Sequence, residues 1–526
     1  MKRTFLVLLA AAFVLPAQVT YDRLVNAQKE PQNWLTYWGD YSAIRYRALD
    51  RINTSNAKNL RLDWMFQTGQ AGNFETVPLV VDGVMYFTAQ GAQAYALDAR
   101  SGRQLWHYSY PMPDNIKLCC GTVNRGLAML GDRLYMVTPH AHLIALDRRD
   151  GTLIWDSEIA PAEKQYGATI APLAVKDKII VGVSGGEFGI RGLIDAFDAK
   201  TGKRAWRFWT IPSKDQPGGD TWLADSWKRG GGPTWMTGTF DPQLNLLYWG
   251  VGNPGPDLYG GDRLGDNLYS CSLVVLDPDT GKLKWYFQFT PHDVHDWDAE
   301  ETPMLLNIKF RGQDRKVVVQ ANRNGFFYVL DRQTGEFLMA KPFARQTWAK
   351  QIDDKGRPVL ANGGVPTPNG TRVCPGLAGA ANWMAPSYNP ETGWFYFPVR
   401  EQCDIYYSLP PAYQEGKPYW GSVFRGATDE QEYGFLKALD PATGETKWDF
   451  RYQHAPWAGT MATSGGLIFA GDQDGYLMAF DSKTGKNLWH IYTGAPIVTA
   501  PITYLVNGKQ YVSLASGAAL MTLALP

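Results

Sequence analysis

The chain has 526 residues, 45% hydrophobic and 19% charged, which is ample for a sizeable core and excludes bulk disorder. Its 51 basic residues balance 51 acidic ones, so there is no polyanion-binding surface and nucleic acid is excluded as a partner. Twenty Trp, 27 Tyr and 54 Gly suit many short strands joined by tight turns.

The first predicted element is MKRTFLVLLAAAFVL at 1–15, where basic residues precede an apolar run of about a dozen. That run is too short to span a bilayer and has the form of a secretory signal peptide; a buried N-terminal strand is the alternative. No clean small-x-small site marks the cut. Residues 1–17 are assigned to the signal, with residue 27 as the other candidate end, and 28–526 to a single domain. No later stretch is long and apolar enough to cross a membrane. The mature protein is therefore expected outside the cytoplasm, most simply in a bacterial periplasm.

Downstream, one phrase recurs: small or apolar residue, apolar, Asp, three variable, Gly, three variable, Trp. It occurs as ALDARSGRQLW at 96–106, ALDRRDGTLIW at 145–155, AFDAKTGKRAW at 196–206 and VLDPDTGKLKW at 275–285. Further copies are VLDRQTGEFLM at 329–339, ALDPATGETKW at 438–448 and AFDSKTGKNLW at 479–489, and TSNAKNLRLDW at 54–64 reads as a degenerate eighth. In each, Asp bonds its own backbone and Gly supplies a positive φ, so the phrase is a hairpin turn. Alternating apolar segments precede each copy, and units of about 40–50 residues indicate four-stranded propeller blades. The closing positions are Trp64, Trp106, Trp155, Trp206, Trp285, Met339, Trp448 and Trp489. The fold class is thus an all-β, eight-bladed β-propeller with a tryptophan between neighbouring sheets. QYVSLASG at 510–517 is expected to complete the first blade, and insertions fall at about 207–270 and 340–435.

Five cysteines in an exported chain suggest up to two disulfides and one free thiol. Cys119 and Cys120 are adjacent; a bond between them closes a strained ring of the kind found at functional sites, the alternative being two small buried residues. Cys374 and Cys403 would make an ordinary second bridge, leaving Cys271 free. No C-x-x-C-H occurs, so the sequence holds no c-type haem attachment. His140, His142, His292 and His295 are scattered and lack thiolate companions, so they read as ordinary polar residues rather than zinc ligands.

Several motifs together resemble the pyrroloquinoline quinone (PQQ)-dependent alcohol dehydrogenases of the methanol and ethanol dehydrogenase type. CCGTVNRG matches that family's vicinal disulfide, Cys119–Cys120, and its Arg125, which would pair with a PQQ carboxylate. Trp235 in GGPTWMTG matches the tryptophan stacked on the opposite quinone face. Glu75 in ETVPLV, Thr169 in GATIAPL, and Ser184, Gly185 and Gly186 in SGGEFG match cofactor-binding positions, as do Asn382 and, near the quinone edge, Trp457. Glu187 and Asn253 match the two protein ligands of a metal that also holds PQQ, and their oxygens suit a hard cation. In TPHDVHDWDAEE, Asp296 aligns with the catalytic aspartate, and Asp298 with the extra metal-binding carboxylate of lanthanide-dependent members. If that stretch is extended, both carboxylates reach one site; a solvated acidic loop is the alternative. Arg323 matches the arginine bonded to the reactive quinone carbonyl.

The resemblance implies oxidation of primary alcohols to aldehydes, with hydride passing to metal-bound PQQ and Asp296 taking the hydroxyl proton. A lanthanide(III) ion is favoured over Ca²⁺ on charge, since Glu187, Asp296 and Asp298 are all anionic. Electrons would pass to a separate soluble periplasmic cytochrome c; the oligomeric state is left open, a homodimer being one option. The competing readings are a PQQ enzyme of sugars or polyols, and a non-catalytic propeller scaffold of the outer-membrane-assembly type. Two features depart from the family: Met339 replaces a repeat Trp, and LMTLALP closes the chain without the usual longer tail.

Overall fold

The computed structural model describes residues 18–70, 72–113 and 118–526, so the predicted signal segment at 1–17 lies outside the described residues. Eight four-stranded antiparallel blades form the molecule. Seven follow chain order from inner to outer strand, at 79–109, 128–158, 173–209, 239–288, 304–342, 387–452 and 460–492. The eighth joins the two ends of the chain: Ile502–Val506, Lys509–Ser516 and Ala519–Ala524 form its inner strands, and Arg61–Gln67 its outermost. The expectation for 510–517 therefore needs correction. That segment is the second of three C-terminal strands, and LMTLALP supplies most of the third. Trp64 pairs with Thr522, so the N-terminal strand is the one that closes the ring.

The repeat turn explains how neighbouring blades lock together. Asp98 accepts from the amides of Arg100 and Ser101, and the Gly102 amide bonds the Asp98 carbonyl at 2.9 Å. The following glycine position leaves no room for a side chain. A Cβ on Gly151, at φ +78°, would lie 2.7 Å from the Trp106 ring of the preceding blade. Trp106 Nε1 in turn donates to the Arg148 carbonyl at 3.0 Å, and Trp206 and Trp448 make equivalent bonds to Pro278 and Ser482. The Trp106, Trp206 and Trp448 rings thus each bury a face on a glycine and satisfy their N–H across the junction, whereas Trp64 and Trp285 lie on their glycines with Nε1 buried and, among the described residues, without a hydrogen-bond partner. At Met339 the ring is missing, and Lys341 and Met339 cover Gly444 instead.

In an antiparallel blade, successive connections alternate between two ends. The repeat turns share one face with the inner hairpins. The loops between second and third strands share the other with the interblade loops. That second face carries the long segments at 210–238, 251–271, 343–386 and 402–432. Thr371–Val373, Asp404–Tyr406 and Phe424–Gly426 form a small sheet there, and the Cys374–Cys403 disulfide ties two of these segments together.

The folded chain begins ahead of residue 28: Val19 bridges Gly131, and Leu24 and Ala27 are buried in the core. Residues 32–47 then bond the inner strands of several blades, with Trp34 on Val80, Leu305 on Ser42, Tyr388 on Ile44 and Leu505 on Gln32. Tyr46–Arg47 adds a parallel strand to blade seven. Among the described residues no helix is long and apolar enough to cross a membrane.

Candidate active site

A cavity of about 460 Å³ opens on the face that carries the long loops. At one end it is apolar and flat-walled: the Cys119–Cys120 disulfide and the Trp235 indole both line it. Arg125 stands beside them, 4.9 Å from the centroid of the Trp235 ring. Its Nη2 pairs with Glu75 at 2.7 Å and its Nη1 donates to Thr169 at 2.6 Å, while Nε is buried and, among the described residues, has no hydrogen-bond partner. Ser184 and Gly185 also line this space, Gly185 holding a left-handed turn ahead of Glu187.

The other end gathers carboxylates around one guanidinium. Arg323 Nη1 donates to Asp298 Oδ2 at 2.9 Å and to the Asp296 backbone carbonyl at 2.6 Å, and lies 4.0 Å from the Asp296 carboxylate. Asp298 is engaged on both oxygens: Oδ1 accepts from the Asn253 amide at 2.7 Å, and Oδ2 also from Trp235 Nε1 at 3.1 Å. Glu187 completes the group, one carboxylate oxygen lying within 4.8 Å of the two cysteine sulfurs. Burial pushes Glu187 up to about 7, and raises Asp296 and Asp298 as well; Arg323 opposes the last two shifts. Burial alone would lower Arg323, but Asp298 and Asp296 hold it above its ordinary value.

The backbone that presents Asp296 and Asp298 is not extended. Asp296 is left-handed, at φ +64°, and no strand spans 290–300. The two carboxylates nevertheless reach one cavity, because Trp297 between them is fully buried, stacked on His295 at 4.1 Å and edge-on to Trp348 at 5.3 Å. Nor is the segment a solvated acidic loop: Asp293, Glu300 and Glu301 are buried. The histidines have local partners, His292 on the Gly265 carbonyl, His295 on that of Gly364, His142 on Asp156 and His140 on Thr138.

Four of the residues singled out do not line the cavity. Asn253 and Gly186 lie behind its wall, Asn253 Oδ1 being 3.7 Å from where a Gly186 Cβ would be. Asn382 is buried and bonds the Ala378 carbonyl. Trp457 is displaced by its neighbour: Trp383 occupies the cavity wall, and Trp457 stacks behind it at 4.3 Å, covered in turn by Arg400 at 4.0 Å. Sequence reasoning also missed Asp257, and the apolar mouth formed by Leu258, Leu377, Trp420 and Phe424.

A family model described as the β-propeller domain of PQQ-type glucose/ethanol/alcohol dehydrogenases matches residues 34–342 and 452–512. The chain belongs to the PQQ-dependent alcohol dehydrogenase family. It is 38% identical to the quinoprotein alcohol dehydrogenase PedH of Pseudomonas putida, over 95% of this chain and 89% of that protein. It is 37% identical to a lanthanide-dependent methanol dehydrogenase of Methylacidiphilum fumariolicum, over 94% of this chain and 86% of the relative. A solved europium-containing methanol dehydrogenase superposes with a TM-score of 0.91 at 34% identity, covering 96% of this chain and all of the other.

The residues present fit the family's cofactor and metal. A flat, anionic quinone suits a slot bounded by a disulfide and an indole, with a buried unpartnered Nε on each of Arg125 and Arg323. The metal end offers only oxygen donors, the nearby sulfurs being locked in a disulfide. Crowded buried carboxylates facing one arginine call for a cation.

Proposed function

We propose that this chain is an exported, periplasmic dehydrogenase that oxidises primary alcohols to aldehydes. The observation that carries this reading is the convergence of Asp296 and Arg323 in the cavity walled by Cys119–Cys120 and Trp235. Bound PQQ with its metal ion would supply the hydride acceptor. The chain's own groups do the rest. The Asp296 carboxylate has no hydrogen bond to a side chain and faces the cavity, so it is the base that takes the alcohol's hydroxyl proton. Arg323, held by Asp298 and the Asp296 carbonyl, donates hydrogen bonds where negative charge develops. Glu75, Arg125, Thr169 and Ser184 fix the cofactor's polar rim, and Glu187, Asn253, Asp296 and Asp298 hold the metal.

The apolar mouth favours alcohols with a hydrocarbon tail over sugars or polyols, whose hydroxyls would lose water there without replacement. The electron acceptor in this reading is a separate soluble cytochrome c. The metal is a lanthanide(III) rather than Ca²⁺: the radii are similar, but Asp298 adds a carboxylate to the site and a trivalent ion balances the charge better.

Reconstitution with PQQ and either La³⁺ or Ca²⁺, followed by dye-linked assay on an alcohol panel, tests the whole reading. Activity with La³⁺ should be well above that with Ca²⁺, and Asp298→Ala should reverse or erase the preference. Equal activity with both ions in wild type removes the lanthanide assignment alone. Absence of PQQ binding with either metal removes the enzyme.

A further inference from the structure

Asp257 has no place in the site as read so far, yet its surroundings leave it little other purpose. It ends the turn Asn253-Pro254-Gly255-Pro256, and that turn is clamped from several sides. The Gly232 amide bonds the Asn253 carbonyl at 2.8 Å, the Gly255 amide bonds Gly230 at 3.0 Å, and the Leu258 amide bonds Trp420 at 2.7 Å. Arg263 Nη2 holds the Pro256 carbonyl at 2.9 Å. The loop therefore cannot swing its carboxylate out to solvent, and Asp257 is only 4% exposed.

An aspartate in such a turn ordinarily caps its own loop or pairs with a nearby cation, and Asp257 does neither. Arg263 is the nearest candidate for an ion pair, but its nitrogens are committed to Asn267 Oδ1 and to the carbonyls of Pro256 and Asp293. Among the described residues Asp257 Oδ1, though buried, has no hydrogen-bond partner, and the residue lines the cavity. Its neighbours are those of the metal end: the Asn253 side-chain amide lies beside the carboxylate, and Glu187 and Asp298 are its charged neighbours. A buried carboxylate with an empty oxygen facing two more carboxylates costs several kcal/mol unless a cation is there.

We infer that Asp257 is a fourth carboxylate of the metal subsite, fixing the Asn253 amide while its free oxygen faces the ion. This rests on the metal-binding reading above and extends it. Glu187, Asp257, Asp296 and Asp298 against the single guanidinium of Arg323 leave three negative charges, matching a trivalent ion and over-balancing a divalent one. Fixing the amide nitrogen of Asn253 also leaves its carbonyl oxygen free to serve as the neutral ligand. Asp257 thus acts on selectivity as well as on affinity.

The test is metal binding itself, read by Tb³⁺ luminescence sensitised by the nearby indole of Trp235, with Ca²⁺ measured by competition, on the full-length PQQ-loaded protein. Asp257→Asn keeps the shape and a carbonyl acceptor for Asn253 but removes the charge. Its Tb³⁺ affinity should fall by about 10–100-fold, as when a metal site's supporting groups are removed. Because attraction scales with the charge of the ion, the loss in log affinity for Ca²⁺ should be only about two thirds as large. Asp262→Asn, exposed on the same loop, should change neither. Melting curves recorded without metal separate misfolding from lost binding. Unchanged affinities, or equal log losses for the two ions, overturn the inference. If wild type binds neither ion, the metal reading falls first and takes this one with it.

Discussion

Asp296 carries two demands at once, a left-handed backbone at φ +64° and a partly buried carboxylate near Asp298. Aspartate tolerates that region better than most residues, and such positions cost of order 1–3 kcal/mol. Asp296→Asn meets the backbone demand equally well, since Asn is also at home there, but it removes both the base and one charge of the metal-holding set. With PQQ and metal supplied at saturating concentration, turnover should still fall about 10²–10⁴-fold, which single-turnover kinetics and visible absorption of the loaded variant would check. Near-normal turnover would move the proton acceptor to another group, Glu187 being the next carboxylate in the cavity. Asp296 was legible in the sequence because TPHDVHDWDAEE is specific. Asp257 was not, because an aspartate after Gly-Pro reads as a turn residue and only its tertiary burial shows otherwise. Trp383 and Trp457 illustrate the same limit: both rings are in one stack, and a motif cannot say which of two stacked rings faces the cavity.

At the scale of the element, the repeat was the clearest signal in the chain, and the reason is steric. An Asp-to-Gly turn and a Trp recurring at fixed spacing are local features, so each copy announces its own hairpin, and the blade count follows. The glycine has two separable reasons for being there: its positive φ and the ring lying on it. Gly202, at φ +71°, would place a Cβ 2.8 Å from the Trp155 ring, whereas Gly91, at φ +68°, has nothing within 4 Å of that position. Gly91→Ala should therefore cost only the left-handed penalty, about 1–2 kcal/mol. Gly202→Ala adds overpacking of about 1–3 kcal/mol against a ring with nowhere to go. Melting temperatures of the two variants should differ in that order, and equal shifts would mean that the blades slide apart easily. The insertions were visible only as gaps between repeats. Their small sheets, the apolar mouth and the bonding of Trp420 to Leu258 depend on segments far apart in the chain, for which sequence periodicity holds no signal.

Across the whole molecule, a ring of eight blades must be closed, and two devices close it. One is the pairing of Arg61–Gln67 with Ala519–Ala524, which leaves no open outer edge between first and last blades. The other is the N-terminal segment that bonds inner strands around the ring, and Arg45 is its central fastener. Arg45 is fully buried, with Nε on the Thr460 carbonyl at 3.0 Å, Nη1 on Tyr37 at 3.2 Å and Nη2 on Pro501 at 2.7 Å. Its guanidinium lies 5.0 Å from the centroid of the Trp34 ring. Blades seven and eight are thus joined through one side chain to a segment that also touches blade one. Nothing in YSAIRYRALD announces this role, since the three carbonyl partners lie up to 456 residues away. Arg45→Met fills much of the volume and removes the buried charge, but strands carbonyls that the guanidinium served. The desolvation of the charge is returned, so the net loss should be on the order of 3 kcal/mol, below the ~4.5–9 kcal/mol that three charge-assisted bonds carry. Irreversible unfolding is the expected behaviour of a chain this long, so the check is the unfolding rate at fixed temperature, with limited proteolysis ahead of residue 48. Arg45→Met should unfold faster and release the N-terminal segment first, while Arg51→Ala, exposed a few residues on, should match wild type. If Arg45→Met unfolds at the wild-type rate with its N-terminus still protected, strand pairing alone holds the ring shut.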